Sequence, residues 1–218
     1  MHSLTSVVMS LLLLAFLTSG AYAADCEFNR DEVNPATNER YVQTKRVMLT
    51  DRGVGFVSRV MKGHASEILA SAVGKGSEKY VLLQIRLQRT YAEMLNEDDL
   101  RDALTVPEGA KMMILMADDS IVSLHASQTA MAKTETGFDS DGNLTVGVRT
   151  AIFYGLDDST AKVLAGQDAM VVRIAAKSGR MNLIGRENSI NFGTTKTSKG
   201  AFKRAVLCLE QRLSAEST

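Results

Sequence analysis

The sequence is poor in the residue types on which several kinds of site depend. It contains no tryptophan, which argues against an aromatic cage or a stacking platform for sugars. Only His64 and His125 lie beyond the N-terminal segment, and no Cys-x-x-Cys pair is present. A zinc site needs three or four ligands in a defined geometry. We therefore predict no metal site and no cofactor.

An excess of charge of one sign is also missing. Lysine and arginine number 25, and aspartate and glutamate number 25. Proteins that bind nucleic acids broadly need a basic surface that displaces counterions from the phosphate backbone. The balanced charge therefore predicts no nucleic-acid binding.

Long apolar runs are absent except near the N-terminus. Residues 7–17 are apolar apart from Ser10, and Ala21-Tyr22-Ala23 follows. The run is shorter than the roughly 20 residues of a membrane-spanning helix, and the A-x-A pattern indicates a signal-peptide cleavage site. We predict a signal peptide at 1–23, a single secreted α+β domain at 24–218, and no stable membrane insertion after cleavage. The alternative is a retained leader that acts as an anchor.

The two cysteines, Cys26 and Cys208, lie near opposite ends of the predicted mature chain. In an oxidising compartment an even number of cysteines favours a disulfide. We therefore predict a Cys26–Cys208 bond, with two separate buried thiols as the alternative.

The clearest local pattern is a β-hairpin at residues 111–124, where two apolar runs flank Asp118-Asp119-Ser120. A weaker version covers 169–183 and turns at Lys177-Ser178-Gly179. Each hairpin is preceded by an alternating strand pattern and a short helix with acidic residues at its start. The sequence thus predicts a possible internal repeat, β-α-β-β, at 80–124 and 144–183. Chance similarity between two ordinary stretches is the alternative.

The same rules assign the remaining segments. Strands are predicted at 40–50, 54–61, 80–91, 144–154 and 189–192. Irregular structure is predicted at 24–38 and 126–142, whereas 66–73 fits either a helix or a strand. An apolar stripe predicts a helix at 198–213, capped by Ser198. The predicted fold class is α+β, mainly an antiparallel sheet from two β-α-β-β copies, with the C-terminal helix packed on it.

Arg86 and Arg149 occupy matching positions in the two proposed copies, each on the strand face opposite its apolar residues. If these strands are neighbours, the two guanidinium groups lie close together. A guanidinium is a planar fork of donors suited to carboxylate or phosphate. We name Arg86 and Arg149 as candidate binding residues for a protein or a small anionic ligand, flanked by Gln84 and Gln88. The simpler interpretation is that both arginines face water or pair with local acids.

Catalytic motifs are weak. No G-x-S-x-G is present, and the match of Ser159 and Lys162 to S-x-x-K is of a kind common by chance. Residues 139–143 resemble part of a calcium loop but lack its glycine and glutamate spacing, so an Asp-Gly turn is favoured. We predict no catalytic residues and a non-enzymatic binding or interaction protein of the bacterial envelope, periplasmic or secreted. The alternatives are a structural homo-oligomer that pairs through strand edges and, third, a hydrolase.

Overall fold

The computed structural model describes residues 26–50, 61–75, 78–92, 97–139, 141–176, 189–193 and 198–214. The predicted signal peptide, most of the strand predicted at 54–61 and the turn at 177–179 lie outside these ranges.

The described residues form strands and helices in the following order. The strands are β1 (Phe28–Val33), β2 (Arg40–Thr44), β3 (Val47–Thr50), β4 (Met61–Lys75), β5 (Glu78–Ala92), β6 (Lys111–Met116), β7 (Ile121–His125), β8 (Lys133–Phe138), β9 (Leu144–Leu156), β10 (Ala169–Ala175) and β11 (Ser189–Gly193). The helices are α1 (Glu97–Leu104), which precedes β6, α2 (Asp158–Gly166), which precedes β10, and α3 (Ala201–Ser214), which follows β11.

The larger sheet has seven strands in the order β1-β2-β4-β5-β9-β8, and β3 pairs with β4 beside β2. All of its pairs are antiparallel. Residues 66–73, which the sequence left open between helix and strand, belong to β4. The backbone there is paired on both sides, with β5 and with β2 and β3, which fixes it as a strand.

The smaller sheet has the order β11-β10-β6-β7. It confirms the first predicted hairpin: Met112 lies opposite Leu124, and Asp119 in the turn adopts a φ of 66°. The second hairpin differs from the prediction, because both edges of β10 are occupied, by β6 and by β11. The strand that pairs with this edge of β10 is Ser189–Gly193, and residues 177–183, the second half of the predicted hairpin, lie outside the described residues. A local turn signal cannot identify a partner strand that lies further along the chain. The observed pairing places buried Ile190 opposite buried Ile174.

The strands thus form two sheets, whereas the sequence analysis predicted a single antiparallel sheet. A single hydrophobic core joins them, with Ile85 and Tyr154 from the larger sheet, Ile114 and Val172 from the smaller one and Phe202 from α3. Each fully buried Ile, Val or Phe side chain of this set contributes about 1.5–3 kcal/mol. The α+β class, the predominance of antiparallel sheet and the packing of the C-terminal helix on it are confirmed.

The helix signals were partly correct. The buried side chains of α3 include Phe202, Val206 and Leu209, at the predicted helical spacing. This helix begins at Ala201, after a turn at 198–200, so Ser198 is too early to be its cap. At the start of α2, the Asp157 carboxylate accepts a hydrogen bond from the backbone N–H of Thr160 at 2.7 Å, as a capping residue does.

Two segments predicted to be irregular contain strands instead. Residues 24–38 include β1, and residues 126–142 include β8. Both strands end the larger sheet and have mostly exposed side chains. An edge strand of this kind lacks the apolar alternation by which a strand is recognised.

The predicted disulfide is confirmed. Cys26 and Cys208 are bonded, with their Cα atoms 5.4 Å apart, and the bond joins the segment before β1 to α3. Asp31 of β1 reinforces this junction, because its carboxylate accepts hydrogen bonds from both Arg40 of β2 and Arg212 of α3.

None of the helices in the described part of the chain combines the length and hydrophobicity needed to cross a bilayer.

Candidate functional site

The register of the larger sheet brings Arg86 and Arg149 together. Arg86 of β5 lies opposite Ala151 of β9, and Arg149 lies opposite Gln88. Opposite residues in antiparallel strands project from the same face, and diagonal neighbours lie roughly 7–8 Å apart. The two arginines are therefore diagonal neighbours on the face opposite the core. We call this surface around Arg86 and Arg149 the polar face.

Arg149 occupies an exposed position on the polar face. Its guanidinium forms an ion pair with Glu135 of the edge strand β8. Lys133, also on β8, lies opposite Arg149 in the register and so projects from the same face. Arg149 therefore has the local acidic partner that the simpler interpretation expected.

Arg86 is in a different environment. It is half-buried, and its Nε atom is buried and has no hydrogen-bond partner. Glu67 of β4 lies opposite it in the register, but the Glu67 carboxylate is paired with Arg46, at 3.8 Å. Arg86 takes part in no ion pair within the described residues. Its guanidinium thus has donor capacity that the surrounding chain leaves unused.

Electrostatics around Arg86 follow from this arrangement. Burial and the positive charges of Arg46 and Arg149 lower the pKa of the Arg86 guanidinium, whereas Glu67 opposes the shift. An arginine starts from so high a pKa that it stays protonated at physiological pH. Arg86 is therefore a cation in an environment that disfavours its positive charge. A bound anion would offset this unfavourable electrostatic energy.

The two glutamines that flank Arg86 differ in accessibility. Gln88 is exposed beside Arg149, whereas Gln84 is buried, with 5% of its surface accessible. Leu69, which lies opposite Gln84, is also buried although it is on the polar face. The part of the polar face that carries Arg86, Gln88 and Arg149 is therefore more open to a ligand than the part that carries Gln84 and Leu69.

Sequence reasoning missed the other charged members of the polar face, namely Arg46, Glu67, Lys133 and Glu135. Glu67 falls in the segment that fitted either helix or strand, and Lys133 and Glu135 fall in a segment interpreted as a loop. Strand alternation within β4 and β8 would have placed these three residues. Arg46 falls within the strand predicted at 40–50, which the structure divides into β2 and β3 with Arg46 between them.

The arrangement of acidic, histidine and cysteine side chains bears on a metal site in general and on the calcium-loop resemblance at residues 139–143. Among the described residues there is no group of three or more histidine, cysteine or acidic side chains that could hold a metal ion. The Asp139 carboxylate accepts hydrogen bonds from the backbone N–H groups of Asp141 and Asn143, and Gly142 has a φ of 80°. Residue 140 lies outside the described residues. The favoured prediction, an Asp-Gly turn leading into a strand, is confirmed by β9, which begins at Leu144.

A second polar group without a partner lies in the core. Tyr154 is fully buried on the opposite face of β9 from Arg149, and its hydroxyl has no hydrogen-bond partner. Burial strongly raises the pKa of Tyr154. This hydroxyl stays protonated and faces the core, so it does not contribute to the polar face.

Comparison with known proteins gives no relative: no family model, no curated protein and no solved structure matches this chain.

Proposed function

We propose that the protein is a non-enzymatic binding protein that takes an anionic group, a carboxylate or a phosphate, at Arg86 on the polar face. The observation that carries the proposal is the half-buried Arg86 guanidinium, whose buried Nε has no partner. A buried donor left without a partner costs about 1–3 kcal/mol. An anion bound at the half-buried Arg86 guanidinium gains charge-assisted hydrogen bonds, and these offset the cost of burying the cation.

The charge balance of the polar face supports the same ligand chemistry. Among the described residues around Arg86, the basic side chains of Arg46, Arg86, Arg149 and Lys133 outnumber the acidic side chains of Glu67 and Glu135. Glu67 and Glu135 neutralise the outer arginines, Arg46 and Arg149, and leave Arg86 unpaired between them. A carboxylate or phosphate would therefore face one unpaired planar fork of donors between two neutralised arginines.

The proposal places the protein in the periplasm or outside the cell. Its supports are the leader pattern at 1–23 and the Cys26–Cys208 bond, since disulfides persist mainly in oxidising compartments. Residues 24–218 would be the secreted domain. The intact mass of the secreted protein tests this, because cleavage predicts a chain that begins at Ala24.

We also propose that residues 80–124 and 144–183 derive from one duplicated β-α-β-β unit. Two observations support this. β5 and β9 are antiparallel neighbours in the larger sheet, and β6 and β10 are antiparallel neighbours in the smaller one. A two-fold axis that exchanges β5 with β9 would also exchange β6 with β10 and β7 with β11. On this proposal the second copy extends to Gly193, because β11 takes the position that β7 holds in the first.

Binding measurements on arginine variants test the proposed function. Inorganic phosphate and a hexaglutamate peptide serve as probes that separate a small anion from an acidic protein segment. We expect Arg86→Ala to weaken binding of the preferred probe by at least about tenfold, the effect of losing charge-assisted hydrogen bonds. Arg149→Ala should weaken it less, because Arg149 is exposed and already paired with Glu135. Glu67→Gln should strengthen binding, because it removes a competing negative charge.

The matched control is Arg204→Ala, which removes an exposed arginine from α3 on the other side of the larger sheet. It should leave binding unchanged. A pull-down from a periplasmic extract extends the test to natural partners. The polar face is ruled out as the site if wild type, Arg86→Ala and Arg204→Ala bind equally well. This result would have to hold for both probes and for every recovered protein.

A further inference from the structure

The outer face of the smaller sheet carries exposed apolar side chains. Along β6, the side chains of Met112, Ile114 and Met116 are buried in the core, and those between them face outward. Leu115 lies opposite Ile121 of β7 and opposite Val171 of β10. These three residues form a row across three strands, which we call the outer apolar row. Ile121 is 63% exposed and Val171 is 41% exposed, and contiguous apolar surface of this kind commonly marks an interaction site.

Opposite charges lie on the two sides of the outer apolar row, at the two ends of strand β6. Lys111, at the start of β6, is exposed and lies opposite His125. Asp118 and Asp119, in the turn that follows β6, are exposed at the other end. Within the described residues, neither Lys111 nor Asp119 forms an ion pair. The six residues of β6 separate these charges by roughly 20 Å, at the usual rise per residue of a strand.

We propose that a second copy of this chain docks on the outer apolar row and forms a two-fold symmetric dimer. A two-fold axis that lies in the interface and crosses the strands midway between Lys111 and Asp119, beside this row, exchanges the two ends of the face. Lys111 of each copy then faces Asp119 of the other, while the apolar rows meet at the centre. The face is therefore complementary to itself, as an isologous interface requires. Any other partner would have to carry the same pattern of charges around an apolar centre.

The size of the surface sets the expected strength. Four strands spaced about 4.8 Å apart, each about 20 Å long, give a face of roughly 400 Å² before side-chain relief is counted. Stable interfaces bury about 800 Å² per partner. We therefore expect a reversible dimer with a dissociation constant in the micromolar range.

Sedimentation velocity on the full chain with its disulfide formed tests the dimer. Between about 1 and 500 µM, a range suited to small interfaces, wild type should shift from monomer to dimer. Ile121→Asp, Lys111→Glu and Asp119→Lys should each raise the dissociation constant at least about tenfold, because each places charge against an apolar or like-charged surface. The double variant Lys111→Glu/Asp119→Lys should recover dimerisation, because both ion pairs are restored with reversed signs.

Mixing provides a sharper version of the same test. Lys111→Glu and Asp119→Lys chains should each be mainly monomeric but should form a mixed dimer together, because both intermolecular pairs are then of opposite charge. The control is Phe138→Asp, which alters a residue that is 75% exposed on the edge strand β8. It should leave the dimer intact.

A measurement on wild type alone avoids any folding defect in a variant: the dissociation constant should rise with salt, because the ion pairs are screened. The proposal is overturned if wild type stays monomeric, if neither the double variant nor the mixture recovers dimers, or if salt has no effect. It is also overturned if Phe138→Asp abolishes the dimer and Ile121→Asp does not, since that result indicates pairing through the edge of the larger sheet. The outcome does not depend on the anion site, which lies on the other sheet.

Discussion

At the scale of single residues, Asp31 is the point where three elements are joined by charge. Arg40 of β2 donates to one carboxylate oxygen, with Nη2 2.5 Å from Oδ1, and Arg212 of α3 donates to the other. Partial burial by itself raises the pKa of Asp31. The hydrogen bonds from Arg212 and Arg40 outweigh that effect, so that the pKa lies below its usual value.

We predict that Asp31→Asn lowers the free energy of unfolding by about 1.5–3 kcal/mol at neutral pH, the range for hydrogen bonds to charged groups. The folded-state pKa is depressed, so the stabilisation is complete above the unfolded-state value of about 3.9 and declines as pH falls through the folded-state pKa. Urea titrations at several pH values should show wild type and Asp31→Asn converging below about pH 4. A constant difference across the whole pH range would contradict the role assigned to the ionised carboxylate.

At the scale of elements, the β4–β5 hairpin is the longest paired unit among the described residues, and Gly74 is a position in it that only glycine fits. Gly74 of β4 lies opposite Lys79. A Cβ atom added to Gly74 would lie 2.4 Å from the backbone oxygen of Glu78 and 2.9 Å from the Cα of Lys79. Both contacts involve backbone, which cannot move aside without disturbing the pairing.

We therefore predict that Gly74→Ala lowers the free energy of unfolding by about 1–3 kcal/mol, as forced overpacking does. The matched control is Gly155→Ala on β9, where an added Cβ would meet nothing within 4 Å. That variant should change stability by less than about 0.5 kcal/mol. Equal stability of the two variants in denaturant titrations would show that the backbone at Gly74 relaxes without penalty.

The elements also show where sequence reasoning succeeds. Strands β5 and β9 were predictable because one face of each is buried, which gives Leu83, Ile85 and Ile152 an unbroken period of two. Strands β1 and β8 were missed because edge strands bury little. The proximity of Arg86 and Arg149 followed from the proposed pairing of their strands. The acids near them, Glu67 and Glu135, come from segments whose own pattern was ambiguous or absent.

At the scale of the whole molecule, pairing between distant segments decides the architecture. Sheet order, the partner of β10 and the division into two sheets all depend on contacts between segments far apart in the chain. Local turn signals and periodicity do not encode such contacts. The cysteines were an exception, because a count of two in a chain with a predicted leader leaves one intramolecular pairing.

The last prediction concerns that pairing. The Cys26–Cys208 bond closes a loop with a sequence separation of 182 residues, for which the chain-entropy model gives an upper value of about 5 kcal/mol. The double variant Cys26→Ala/Cys208→Ala should therefore lose up to that amount in free energy of unfolding. Its denaturant dependence should also become steeper, because an unfolded chain without the cross-link exposes more surface.

Reduced wild type is the control for this variant, since it keeps both sulfur atoms and loses only the covalent constraint. If constraint of the unfolded chain is the main effect, reduced wild type and the double variant should unfold at similar denaturant concentrations, both well below oxidised wild type. A large gap between them would assign the stabilisation to packing of Cys208, which is buried beside the apolar stripe of α3. If oxidised and reduced wild type unfold together, the bond does not stabilise the fold, and the ion pair of Asp31 with Arg212 would be the contact that holds β1 to α3.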